Sequence, residues 1–102
     1  MSEYTAHVQV PDAAIGGVLQ YQLLDMEAVA CVTLRSGGGT WLSVGLDADD
    51  DMQVVMLVAM VRYAVSRLTD LELPEGYDSL EAFETAPLII IHGRTVIHSE
   101  GI

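Results

Sequence analysis

The chain has 102 residues, 51% of them hydrophobic, and its fifteen Asp and Glu against four Arg and no Lys give a formal net charge of −11. That length suits one sheet-and-helix core and is too short for two independently stable ones, so residues 1–102 read as a single acidic domain. A field of this sign repels phosphate backbones and anionic headgroups, which argues against direct nucleic-acid binding and against docking on a membrane.

The one cysteine, Cys31, excludes an intramolecular disulfide and fits a reducing, cytoplasmic setting. Lying in the apolar stretch Ala28–Leu34, it reads as a small core hydrophobe. The first residues lack the positive start and apolar block of a signal peptide, and the longest apolar run, Val54–Val61, is too short to cross a bilayer. A mean hydropathy of +0.37 in so small a chain leaves apolar surface for a partner to cover, and a second copy, hence a homo-oligomer, is the simplest one.

In chain order, Tyr4, Ala6, Val8 and Val10 alternate with polar residues as a half-buried strand does, and Pro11-Asp12 closes it. The next stretch fits two periods. Ile15, Val18, Leu19, Leu23 and Met26 recur at helical spacing, whereas Gly16-Gly17 and the alternation of Leu19-Gln20-Tyr21-Gln22-Leu23 favour a strand over Val18–Leu24. Ala28–Arg35 and Thr40–Leu46 read as strands joined by a Ser36-Gly37-Gly38-Gly39 hairpin loop. The triple glycine is no phosphate loop, because no Gly-Lys-Ser/Thr follows and it opens a strand. A long helix is predicted from about Asp50 to Leu71, with Asp49, Asp50 and Asp51 at its positive end. Its first half is apolar on nearly every side; in its second half Arg62, Ser66 and Arg67 are expected to face water and Tyr63, Ala64 and Val65 the core. Asp78 with Glu81 resembles a capping box opening a short helix, with Leu80 and Phe83 on its inner side. Leu88–Ile91, a tight turn at His92-Gly93, and Arg94–His98 form a terminal hairpin.

Asp47, Asp49 and Asp51 alternate like the first ligands of a calcium loop, but Met52 and Val58 stand where such a loop needs glycine and a bidentate glutamate, so they read as helix-capping residues and no metal is expected. Asp70, Glu72, Glu75, Asp78, Glu81 and Glu84 crowd together without a basic residue among them. They form either a solvated connector or a ridge for a basic partner. Met52, Met56 and Met60 make a row four residues apart, suited to filling core gaps or to an oligomer contact. His7, His92 and His98 lack the short spacing that presents two zinc ligands from one element, and they could meet only if the first strand pairs beside the terminal hairpin. No catalytic constellation and no cofactor site is legible.

The expected architecture is α+β: an antiparallel sheet of five or six strands, a meander first and a hairpin last, packed against one long helix. The alternative, a ferredoxin-like βαββαβ sandwich, requires Asp12–Asp25 to be helical. The expected function is that of a non-enzymatic acidic binding protein, an inhibitor or immunity-type module of the kind used in phage or bacterial conflict. It would occupy a basic protein surface and mimic nucleic acid there. The alternatives are a self-associating structural subunit, such as a virion or assembly component, and a small histidine-dependent enzyme.

Overall fold

The computed structural model describes residues 4–68, 73 and 80–101. Five strands, β1 (Tyr4–Val10), β2 (Val29–Ser36), β3 (Thr40–Leu46), β4 (Leu88–His92) and β5 (Thr95–Glu100), form one antiparallel sheet in the order β2-β3-β1-β4-β5. Helix α1 (Ala13–Leu24) lies between β1 and β2, helix α2 (Asp51–Ser66) follows β3, and a single turn of 3-10 helix (Glu81–Thr85) precedes β4.

The antiparallel sheet, the long helix and the C-terminal hairpin agree with the expectation. The opening meander does not. β1 sits in the centre, pairing with β3 on one side and β4 on the other, and Val18–Leu24 belongs to a helix instead of a strand. Setting aside the 3-10 turn, the elements from β1 to β4 thus follow the βαββαβ alternative, with β5 added at the edge.

Local chemistry explains the helix. The Asp12 carboxylate accepts the Ile15 backbone N–H at 3.0 Å, capping α1, and two alanines fill its first turn. Leu19 and Leu23 are four apart, which places them on one side under either period, so they do not discriminate. Tyr21 does: a strand would align it with both leucines, and it is instead 77% exposed. Gly16 lets the helix approach the sheet, since a Cβ there would stand 2.5 Å from a Leu34 methyl. One turn along the same side of the helix, the Gln20 amide donates to the carbonyl of Val32 at 2.9 Å, satisfying an acceptor of edge strand β2.

One face of the sheet carries the core. Across β1, Ala6 pairs with Val44 and Ile90, and Val8 with Leu42 and Leu88. Ile15, Leu19 and Leu23 of α1 and Val54, Val58 and Val65 of α2 complete this cluster. A 30 Å³ apolar cavity between sheet and helices, lined by residues such as Ala6, Val44 and Val58, has room for about one water and offers no ligand site. Thr5, His7 and Gln9 point to the opposite face, which no helix among the described residues covers.

Helix α2 is rotated relative to the sequence expectation. Its inner stripe is Val54, Val58, Arg62, Val65 and Ser66, whereas Tyr63 and Ala64 are exposed. Arg62 is only 4% exposed. Its Nε and Nη2 donate to the Phe83 carbonyl at 3.2 and 2.9 Å, Nη2 also donates to the Ala86 carbonyl at 2.7 Å, and Nη1 pairs with Glu100 at 3.2 Å. Burial pulls its pKa down, Glu100 and Glu84 oppose that shift, and a guanidinium remains charged throughout.

The hairpin glycines have a geometric role: Gly37, Gly38 and Gly39 all take positive φ, closing β2 onto β3. Cys31 is not in the core. A register shift between Val29 and Cys31 places it, exposed, opposite Gly45 at the sheet edge. No helix among the described residues is long and apolar enough to cross a membrane.

The two helical glycines should respond oppositely. Nothing lies within 4 Å of a Cβ built at Gly17, so Gly17→Ala should stabilise the fold by about 0.5–1 kcal/mol through helix propensity alone. At Gly16 a valine meets Leu34 and should cost about 1–3 kcal/mol. Urea denaturation of both variants reads the difference.

Candidate functional site

The chain's outward chemistry is concentrated in three places. The first is one end of the sheet. Strands β2 and β3 meet there, so the α1–β2 connection brings Asp25 and Glu27 beside the β3–α2 connection with Asp47, Asp49, Asp50 and Asp51, and the Asp47 N–H to Ala28 carbonyl bond, 2.9 Å, joins the two. All six side chains are exposed. Asp50 is the N-cap of α2, accepting the Gln53 N–H at 2.8 Å, and the Gln53 side chain accepts the Asp49 N–H in return. This reciprocal arrangement is the capping role expected of the aspartates. Arg94, in the β4–β5 turn, lies at the same end, two residues beyond His92.

Asp51 also anchors the sheet. The Tyr4 hydroxyl donates to its Oδ1 at 2.7 Å, His92 Nδ1 approaches the same oxygen at 3.3 Å, and the Tyr4 and His92 rings stack at 4.1 Å between centroids. The hydrogen bond to Asp51 is the main cause that pushes the Tyr4 hydroxyl up to about 12, with burial and the charges of Asp51 and Asp50 adding to it.

The second place is the outer side of α2. Met52, Met56 and Met60 are 73%, 59% and 67% exposed, and Ala59 and Tyr63 lie on the same side. Core filling, one of the two readings of the methionine row, is therefore overturned: Arg62 occupies the inner stripe and turns the row outwards. Tyr63 carries the Arg67 guanidinium over its ring at 4.9 Å.

The third is the open sheet face. His7 Nδ1 lies 2.8 Å from Ser43 Oγ in its middle, with Trp41 on β3 and Ile89 and Ile91 on β4 to either side. Burial, and secondarily Arg35, lowers the pKa of His7, which keeps the ring neutral at pH 7.

The histidines do not converge, although β1 does pair beside the terminal hairpin. His7 faces the open side of the sheet, His92 stacks on Tyr4, and His98 Nε2 pairs with Glu100 at 3.3 Å. Among the described residues no group of three or more His, Cys, Asp or Glu is placed to hold a metal ion.

Of the six acids in the expected ridge, Glu81 and Glu84 are exposed on the 3-10 helix, with Leu80 and Phe83 buried behind them as expected. Asp70, Glu72, Glu75 and Asp78 lie outside the described residues. Because β4 starts beside Val8, Glu81 and Glu84 stand at the opposite end of the sheet from Asp47–Asp51. From sequence the aspartates read as caps, and nothing local signals that Asp25 and Glu27 join them; the pairing of β2 with β3 that brings them together is a long-range feature. Searches against protein-family models, curated proteins and solved structures find no match to this chain.

The Tyr4–Asp51 bond has an alkaline signature. A hydroxyl whose pKa rises from 10.0 to about 12 on folding contributes stability that is whole below pH 10 and is lost as pH rises towards 12. Thermal melts of the wild type should decline over that interval, and Tyr4→Phe should remove this component of the decline.

Proposed function

We propose that the protein is a non-enzymatic acidic binding module that docks on a basic protein surface through the Asp25, Glu27 and Asp47–Asp51 end of its sheet. The observation that carries this reading is the gathering of those carboxylates from two connections. The burial of Arg62 is compatible with it, because one of only four basic side chains is spent on Phe83, Ala86 and Glu100. Such an end steers a cationic partner during encounter and fixes its orientation on arrival.

A partner with a nucleic-acid-binding site matches this chemistry best, since rows of carboxylates present a protein with the charge that phosphates would. An inhibitor or immunity-type module acting in the cytoplasm, in phage or bacterial conflict, is the setting that joins these features. Glu81 and Glu84, together with Asp70, Glu72, Glu75 and Asp78 close by in sequence, supply a second acidic segment for a larger target. The reading is non-enzymatic because His7, His92 and His98 each spend a ring nitrogen on a different partner and share no cleft.

Capture of the partner from host extract, followed by titration, tests the proposal. Affinity should fall at least about 10-fold between roughly 0.05 and 0.3 M salt. The triple variant Asp25→Arg, Glu27→Arg, Asp49→Arg should weaken binding more than Glu81→Arg with Glu84→Arg. A partner that binds the triple variant as tightly as the wild type overturns the assignment of this end.

A further inference from the structure

We infer that the exposed face of α2 is a two-fold interface on which a second copy of this chain packs its own α2 antiparallel. This surface adjoins the acidic end, with which it shares Asp49–Asp51, and three observations choose the occupant.

The first is the charge pattern along the helix. From Met52 to Ser66 the only charged side chain is Arg62, which is buried and paired, so the outward face of that stretch is neutral: Met52, Gln53, Met56, Ala59, Met60, Tyr63 and Ala64. The N-terminal end carries exposed Asp49, Asp50 and Asp51, and the C-terminal end carries exposed Arg67. A face that is negative at one end, neutral in the middle and positive at the other is complementary to itself after a half-turn about an axis perpendicular to the helix. That half-turn also opposes the two helix dipoles.

The second is repulsion. Two chains of net charge −11 resist approach wherever carboxylates face each other, and this neutral strip is where two copies can meet at least cost. A strongly basic partner would find no carboxylate along the strip, and an anionic membrane would be repelled by the chain as a whole.

The third is shape. With the axis between Ala59 and Met60, Met56 meets Tyr63 of the partner subunit, a favourable sulfur–aromatic pairing, and Ala59, the small residue of the row, lies where the helices approach most closely. Arg67, held over Tyr63, reaches the Asp50–Met52 end of the partner helix. Apolar depressions beside the row, of about 440 Å³ along Met52, Met56 and Leu57 and about 310 Å³ along Met26, Leu57 and Val61, receive the partner's flexible methionines.

Sedimentation equilibrium and cysteine cross-linking test the inference. The wild type should be dimeric at about 100 µM and stay so in roughly 0.5 M salt, conditions that weaken capture of a basic partner. Met56→Lys, which alters an exposed side chain and should leave the circular dichroism spectrum and melting temperature unchanged, should raise the dissociation constant at least about 30-fold. Arg67→Glu should weaken the dimer as well. Ala59→Cys in a Cys31→Ser background should yield a disulfide-linked dimer under mild oxidation, whereas wild type, whose Cys31 lies on the open sheet face, should not. A monomeric wild type at that concentration, or a dimer indifferent to Met56→Lys and not trapped by Ala59→Cys, overturns the interface.

Discussion

The burial of Arg62 is the constraint on which the outer surface of this protein depends. A guanidinium taken out of water is tolerable only if its donors are met, and here the carbonyls of Phe83 and Ala86 and the carboxylate of Glu100 meet them. These partners come from the 3-10 helix and from the last strand, so one side chain ties α2 to both segments flanking β4. It also fixes the rotation of α2. Once Arg62 lies in line with Val54, Val58 and Val65, helical geometry leaves Met52, Met56, Met60 and Tyr63 nowhere to go but outwards.

That rotation and the crossing of the chain through the sheet divide the surface by chemistry. One end of the sheet is acidic because two connections that are distant in sequence meet there. The outer face of the helix is apolar and neutral because its one central charge has been drawn inside. The uncovered face of the sheet is mixed, with the neutral His7 beside Ser43 at its centre. A small chain with a large apolar fraction thus presents four of the seven exposed large hydrophobic side chains among the described residues, Met52, Met56, Met60 and Tyr63, in one strip and a concentration of its charge beside it, an arrangement suited to two kinds of contact.

Much of the fold was legible from local pattern. Alternation gave β1 and its inward residues, glycines gave the β2–β3 hairpin, and the aspartates marked the start of α2 with Asp50 as its cap. The failures have physical causes. Helix α1 was hidden by two glycines and by leucines whose spacing suits both periods, while Asp12 followed by two alanines was the signal that could have revealed it. Cys31 reads as a core residue from its apolar surroundings, and the strand register shift that exposes it cannot be read from composition. Arg62 reads as facing water because charged residues usually do, and its buried acceptors are backbone carbonyls more than twenty residues away, invisible to any pattern rule. The surface was accordingly the least legible part: the methionine row could be seen, but which way it faced depended on Arg62.

The most direct test is the environment of that arginine in solution, read by nuclear magnetic resonance. The Arg62 Nε–H should exchange slowly with water and show proximity to Phe83 and Ala86, while the methyl groups of Met52, Met56 and Met60 show none to Val44 or Leu46. A rapidly exchanging Arg62 side chain, with the methionine methyls in contact with those core residues, would reverse the helix and contradict the account.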